Sequence, residues 1–593
     1  MRRVIDLLKK IKYILNGKQL TVSVMVLILT MVGSILECIG VSIIIPLISV
    51  ILTPDVLMNN KWVKTTYFVN RFGYNGLVIS IVVFVIAIYV VKNIFFVFLS
   101  WVRIKFACKI QREISIKILK SYMYRGYQFF LNSSYGALSR GVSGDPEALF
   151  DVLYSGLRLL SDVFTILLIC IVLFISDFLL SIGIIFLAII CVVAIFLLFR
   201  KDMHSTGAKL RKYTASASQS LYHSFEGIQD ILVLRKQRYF VNEYDYNKTK
   251  LQQAICRQTV GVEAPTYVIE GFFIVGIMLM VCVNIIFGNN TEGFVATLAA
   301  FAVGAFRILP SLGRISITLN KVMMCVPGIN ALYENVKEAE NYSLKHPEMK
   351  SFDNDKNSVD NNITTFKNEI VVNNVSFSYS NTSSLVLNRV KLHIRKGESV
   401  GIIGTSGTGK TTLVNILLGL LKPTSGEITM DGINITKIPE DWSNIVGYIP
   451  QSVFLLSGSI KENVAFGCDK SEIDEDRVKE ALNMAELGEL INSLDDGIDT
   501  FVGDRGVRLS GGQRQRIVIA RALYHNPDVL LMDEATSALD TETESAVISS
   551  INSFQGKITM IIVAHRLTTI KNCNRVYRVV NSHLEEVDKA SLF

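Results

Sequence analysis

The chain has 593 residues, half of them hydrophobic, with a net charge of +8 and a mean hydropathy of +0.38. That is too apolar for one soluble enzyme unless the apolar residues are gathered into membrane spans, and uncharged runs do crowd the first half of the chain. The lysines and arginines cluster beside those runs, which points to cytoplasmic loops and anionic lipid and argues against nucleic acid as a partner. The nine cysteines form no C-x-x-C pair, so neither a disulfide framework nor a thiolate metal site is expected.

In chain order, residues 1–18 alternate Arg2, Arg3, Lys9, Lys10 and Lys12 with Ile5, Leu7, Leu8, Ile11 and Ile14, a helix expected to lie along the inner leaflet. Six spans follow, near residues 20–52, 76–102, 157–175, 178–199, 267–287 and 294–315, each able to cross ~30 Å of hydrocarbon. Residues 1–335 therefore read as an α-helical membrane domain. Segments 103–148 and 200–263 are rich in Lys and Arg, whereas the links near Asp177 and Asn289 have none, so the basic segments are cytoplasmic. They are also long enough to form helical hairpins beyond the bilayer, reversing at residues 126–130 and 226–230, where we expect short coupling elements that touch the second domain. Between the first two spans, Trp62, Phe68 and Phe72 with Lys61, Lys64 and Arg71 suit an outer-leaflet interface. Ionisable residues inside spans are costly and usually face a cavity or a partner. Glu37, Arg158, Asp162, Glu270, Arg307 and Arg314 are the candidates, Arg307 first among them, although Arg158 and Asp162 also have the spacing of an i,i+4 pair.

Residues 336–368 are polar and read as a linker, and residues 369–593 as a soluble α/β domain. Its centre is Gly404-Thr405-Ser406-Gly407-Thr408-Gly409-Lys410-Thr411, the full G-x-x-x-x-G-K-[ST] pattern between an apolar run and a helical one. The glycines let backbone N–H groups wrap phosphate oxygens at a helix N-terminus, Lys410 reaches the β- and γ-phosphates, Thr411 offers a hydroxyl to Mg²⁺, and Thr412 helps hold the phosphates. Val529 to Met532 is an apolar strand ending in Asp533 and Glu534. Asp533 is expected to hold Mg²⁺ and Glu534 to polarise the attacking water. Tyr379, 25 residues before Gly404, is placed to stack on adenine, with Phe377 as its rival on the same face.

Leu509-Ser510-Gly511-Gly512-Gln513 resembles the signature motif of ATP-binding cassette (ABC) proteins. Gln451 resembles the family's Q-loop glutamine, Ser537-Ala538-Leu539-Asp540 its D-loop and His565 its switch histidine, and residues 500–506 resemble the T-x-V-G-E-x-G loop of exporters with Asp504 in place of Glu. The domain's last turn lacks the usual glycine, and Asn581 is expected to supply the left-handed conformation. The resemblance implies an exporter-type membrane domain fused to a P-loop ABC ATPase, with ATP and Mg²⁺ as cofactors and Gln451, Glu534 and His565 as catalytic residues. It also implies a second copy of the chain, because each ATP lies between the phosphate loop of one domain and Ser510 to Gln513 of the other. Within exporters, the stretches Ser34 to Pro46 and Phe306 to Ser311 resemble bacterial lipid-linked oligosaccharide flippases. The expectation is an ATP-driven flippase in the inner (plasma) membrane that moves an amphiphilic substrate, a lipid-linked oligosaccharide, with its ATPase domain in the cytoplasm. The alternatives are an exporter of hydrophobic drugs or lipids and, outside the class, an ATP-dependent regulatory switch without transport.

Overall fold

A computed structural model describes residues 2–43, 67–176, 178–287, 291–345, 365–379, 384–534, 545, 547–549, 553–564 and 566–592. The chain divides into two compact units, Met1–Arg125 with Ser133–Asn354, and Gly126–Asn132 with Asp355–Phe593.

The first unit is all helix. An N-terminal helix α1 (Arg2–Ile14) precedes α2 (Gly17–Ser42) and the long α3 (Tyr67–Met123). The reversal after α3 is made by α4 (Tyr127–Leu131), which groups with the second unit, and by α5 (Tyr135–Ser139). A π-helical stretch, Arg140–Gly144, leads into α6 (Asp145–Ser176). Then come α7 (Phe178–Glu226), the short α8 (Ile228–Val233), α9 (Gln237–Phe287) and α10 (Thr291–Lys345). Four stretches among the described residues are long and apolar enough to cross a membrane, 17–40, 81–123, 135–171 and 308–344. Helices α7 and α9 contain the other two expected spans.

Two expectations need correction. The stripe of α1 assigned to lipid packs inward, with Leu7, Ile11 and Ile14 buried; Tyr13 stacks edge-on against Tyr333 at 5.1 Å and Lys10 donates to Asn330 at 2.9 Å. Ile5 and Leu8 keep an exposed apolar face. The linker expected from residue 336 is helix as far as Lys345, because Val336 and Ala339 are buried and Glu340 meets Lys117 of α3 at 2.6 Å. The aromatic segment after the first span lies largely outside the described residues.

The second unit holds two sheets. The smaller pairs β1 (Glu369–Phe377) with β2 (Leu387–Arg395) and with β4 (Ser425–Met430), which pairs with β5 (Ile433–Asn434), all antiparallel. The larger contains β3 (Ser399–Ile403), β6 (Val446–Ile449), β7 (Val529–Asp533), β8 (Thr559–Val563), β9 (Arg575–Val580) and β10 (His583–Val587). Their order is β10-β9-β3-β8-β7-β6, parallel except for β10. Every residue of β3, β7 and β8 is buried, as central strands covered on both faces require, and this is why they read as continuous apolar runs. Helix α11 (Lys410–Leu417) follows β3, α12 (Pro439–Ile445) precedes β6, and α13 (Ile460–Val464), α14 (Glu475–Met484) and α15 (Gly511–Leu523) lie between β6 and β7. The β9–β10 hairpin turns on Asn581 at φ 49° and Ser582 at φ 67°, two left-handed residues in the two-residue loop that a tight hairpin demands.

Candidate nucleotide site and intramembrane charges

The loop between β3 and α11 is built for close backbone approach. A Cβ on Gly404 would stand 2.9 Å from the Thr408 hydroxyl and 3.1 Å from the Val579 carbonyl, and Gly409 caps α11 at φ 103°, a region open mainly to glycine. Lys410 is 5% exposed, and its Nζ donates to the carbonyls of Gly404 (2.9 Å) and Thr405 (3.1 Å). The ammonium is thereby stored inside the loop that it would share with phosphate. Thr411 is exposed on the first turn of α11 and Thr412 is buried.

β7 delivers the two acids to the same place. Asp533 is 2% exposed. Glu534 follows at φ 48°, and its N–H still reaches the Val563 carbonyl at 2.9 Å, so the ladder with β8 is kept while the side chain is thrown out of the sheet. One carboxylate oxygen of Glu534 accepts from Gln451 Nε2 at 2.7 Å and the other lies 3.8 Å from Lys410 Nζ. A left-handed non-glycine residue at a strand end is backbone strain of the kind found where function overrides local preference. Tyr448, in β6, has its hydroxyl pushed up to about 12 by burial, with Asp533 beside it. Phe377 is 2% exposed and packs edge-on against Tyr379, ring centroids 5.0 Å apart. Tyr379 is half-buried, and its hydroxyl lies 3.1 Å from that of Thr412. Lys410, Glu534 and Gln451 therefore form one chain of contacts, and Tyr379 makes a second pair with Thr412, on the same first turn of α11 as Lys410. Phe377 belongs to the core beneath it.

Ser510 and Gln513 cap α15 reciprocally: Gln513 N–H donates to the serine oxygen at 3.2 Å, and Ser510 N–H to the glutamine oxygen at 2.9 Å. Gly511 is open on its outer side. These bonds close on the motif itself, leaving an exposed helix start with free N–H groups, a second anion site. Two further residues that sequence reading passed over hold the segment after Gln451. Arg521 donates to the carbonyls of Asn463 (2.8 Å) and Phe454 (2.9 Å), and the fully buried Asn463 bonds both the N–H (2.8 Å) and the carbonyl (3.1 Å) of Leu456. Burial lowers the Arg521 guanidinium to about 10, so it stays charged at neutral pH. In the 500–506 loop, Val502 N–H reaches the Gly458 carbonyl at 3.0 Å and Asp504 is exposed. The D-loop and His565 lie outside the described residues.

The donors present suit Mg²⁺. Thr411 offers a hydroxyl, Asp533 a carboxylate and Gln451 its amide oxygen, the amide nitrogen being engaged by Glu534. Mg²⁺ binds through one or two such oxygens plus phosphate rather than in an all-protein cage. No group of three or more His, Cys, Asp or Glu that would form such a cage occurs among the described residues.

Charges also meet inside the first unit. Arg314 Nε donates to Asp162 Oδ1 at 2.8 Å and its NH2 to the Ser311 hydroxyl at 2.7 Å, so the pathway candidate Arg314 is paired across α6 and α10, and Asp162 takes it as an ion-pair partner. Glu37 accepts from the Thr165 hydroxyl at 3.5 Å, and Glu270 is exposed. Arg307 lies on α10, its side chain outside the described ones. Two cations escaped the sequence reading. Lys92 is 4% exposed, its Nζ 4.3 Å from the centre of the Tyr89 ring. Arg103 is 7% exposed; its Nε donates to the Thr30 hydroxyl at 3.2 Å, and its NH2 is buried without a partner. The signal for Lys92 was a lone charge in the apolar run from Ile81 to Trp101.

A sequence profile described as ABC transporter matches residues 387–537, and one described as ABC transporter transmembrane region matches residues 26–308. An uncharacterized ABC transporter ATP-binding protein of Bacillus subtilis (strain 168) is 29% identical over 519 residues, 86% of each chain. An ATP-dependent lipid A-core flippase of Desulfotalea psychrophila is 28% identical over 514 residues, 85% of each chain. A putative multidrug export ATP-binding/permease protein of Staphylococcus aureus (strain NCTC 8325 / PS 47) is 29% identical over 489 residues, 81% of this chain and 80% of the relative. The solved structure of a bacterial Atm1-family ABC exporter with ATP bound superposes with a TM-score of 0.73 at 19% identity, over 97% of this chain and 96% of that one.

Proposed function

The chain belongs to the ABC transporters, as an exporter half-transporter with one membrane domain and one ATPase domain, and from that premise we propose that it flips a lipid-linked oligosaccharide across the inner membrane as a homodimer. The coarser statement holds without the proposal: it is a multi-pass membrane protein whose ATPase domain drives export of a substrate. The finer one rests on two buried cations of the membrane unit, Lys92 and Arg103, and on the Arg103 NH2 that has no acceptor. A guanidinium with an unmet donor favours an anionic group such as the pyrophosphate of a polyprenyl-linked sugar. The similarity to a protein named lipid A-core flippase supports an amphiphile of that kind. Arg307 and Glu270 stay in the proposal as pathway residues.

The nucleotide cluster runs the cycle. Lys410 exchanges the Gly404 and Thr405 carbonyls for β- and γ-phosphate oxygens, Tyr379 stacks on the base, and the backbone N–H groups of residues 404 to 409 hold the phosphates. Bound Mg²⁺ would neutralise phosphate charge at Thr411, Gln451 and Asp533. Glu534 turns from Gln451 to the water and takes its proton as general base, while His565 steadies the γ-phosphate side. Ser510, Gly511, Gly512 and Gln513 of the second copy close the site over the same nucleotide, and closure reorients the membrane helices.

The test is reconstitution in vesicles with fluorescent polyprenyl-pyrophosphate sugar. ATP-dependent flipping that is lost in Arg103→Ala with basal ATPase retained is the expected result. ATPase stimulation by hydrophobic drugs and not by such lipids would move the substrate to the alternative class.

A further inference from the structure

The membrane unit contains a cleft that the nucleotide chemistry does not use. It lies where α5, the π-helical stretch and the start of α6 meet α7, and it encloses about 380 Å³, within the ~300–1,000 Å³ of small-molecule sites. Tyr135, Ser139, Arg140, Ser218, Gln219 and Tyr222 are among its lining residues.

Three features set it apart from a packing gap. Tyr135 and Tyr222, 87 residues apart in sequence, stack with ring centroids 5.5 Å apart and planes 21° from parallel, yet are 70% and 43% exposed. Rings held together at a surface form an aromatic wall rather than a core contact. Arg140 is fixed in place, its NH1 donating to the Arg211 carbonyl at 3.2 Å, while Arg211 is occupied by a two-pronged pair to Asp145 (3.2 and 2.8 Å). The Arg140 Nε is buried and has no acceptor. Finally, Arg140 opens the π-helical turn itself, a rare departure from α-helical hydrogen bonding that is frequent at functional sites.

Beside Glu147 and His223, the remaining polar groups of the lining are uncharged hydroxyls and one amide. The hydroxyl of Ser218 and the amide of Gln219 can each donate or accept, and the one guanidinium is balanced by Glu147 on the same lining. A polyanion finds little to recognise here. A sugar ring finds a great deal, because its C–H face packs on aromatic surface while its equatorial hydroxyls pair with hydroxyl, amide and guanidinium groups. We propose that this cleft binds a saccharide, as the docking place for the glycan of the transported lipid. The proposal deepens the flippase reading and rests on it for its biological purpose. The cleft is drawn from segments 103–148 and 200–263, whose Lys and Arg content assigns them to the cytoplasm, the side on which such a glycan waits before transfer.

The experiment uses the full chain in lipid nanodiscs and saturation-transfer difference NMR with N,N′-diacetylchitobiose as the probe. Transfer to the sugar is expected in the wild type. It falls about fivefold in Tyr222→Ala and Tyr135→Ala, the size of one aromatic contact, and returns in Tyr222→Phe, which keeps the ring, with basal ATPase unchanged in all three. Equal transfer in both alanine variants overturns the site, and loss of the wild-type signal on adding millimolar inorganic phosphate replaces a saccharide with an anion. Wild-type protein that flips polyprenyl-pyrophosphate sugar but shows no transfer sinks this inference alone. Transfer without flipping upholds the cleft and sinks the flippase reading.

Discussion

Glu534 is held by Gln451 at 2.7 Å and watched by Lys410 at 3.8 Å, so the proposed base is restrained until nucleotide takes both partners away. Replacing Glu534 by Gln keeps the shape and an acceptor for Gln451 but removes the proton acceptor. Turnover should fall on the order of 10²-fold or more, with ATP still bound; single-turnover ATPase and nucleotide-binding measurements on one preparation check both halves. Tyr379→Ala should raise the KM for ATP more than it lowers kcat, since stacking contributes binding rather than chemistry. Phe377→Ala should instead destabilise the domain by roughly 3–5 kcal/mol, as loss of a buried ring does, which thermal unfolding would register. The residues of the phosphate loop and the strand-end acids were legible because their chemistry demands fixed spacing between backbone donors and side chains. The partner of Asp162 was not legible. Local spacing offered Arg158 four residues away, but helix packing brings Arg314 from 152 positions along the chain to 2.8 Å.

At the scale of elements, turns and caps carry the measurable consequences. Asp431, at φ 48°, accepts from the N–H groups of Lys367 (2.7 Å), Asn368 (2.8 Å) and Glu369 (2.9 Å). Burial alone would raise its carboxyl; the three donors outweigh that and hold it below the usual range. Burial likewise opposes Arg575 at Glu398, and the ion pair prevails. Carboxyls depressed in the folded state stabilise it above their unfolded values and lose that contribution as pH falls through the folded ones. Thermal stability of the ATPase domain should therefore decline from about pH 4 downward, and Asp431→Asn should flatten part of the decline. Arg521→Lys keeps the charge but cannot fork to Asn463 and Phe454. A loss of about 1–3 kcal/mol for the stranded groups should appear as faster hydrogen exchange confined to residues 454–466. The membrane helices were readable from hydropathy and charge bias, since both are sums over many residues. The π-helical turn at Arg140 was not, because neither hydropathy nor charge marks Arg-Gly-Val-Ser-Gly apart from its helical neighbours.

For the whole molecule, a single chain carries one phosphate loop and one signature motif, whose capping bonds close on themselves. If each nucleotide is shared between copies, Lys410→Ala and Ser510→Arg chains are each inactive alone but complement when co-expressed. Random pairing makes half of the dimers mixed, each with one intact site, so ATPase should recover to about a quarter of wild type. Recovery of nothing would mean that both motifs serve one nucleotide within a chain.

Helices α3, α7, α9 and α10 run for 57, 49, 51 and 55 residues, so α3 extends ~85 Å at 1.5 Å per residue. The hydrocarbon takes up only ~30 Å of that. What remains is a lever with its fulcrum at the membrane surface: a tilt of about ten degrees over a ~45 Å arm displaces the far tip by roughly 8 Å. A stiff rod trades force for travel, so a small rotation within the spans and a larger displacement of the helix tips are the same motion seen from opposite ends. Shortening those arms by two turns in each hairpin would leave every residue of the catalytic cluster intact and change the gearing.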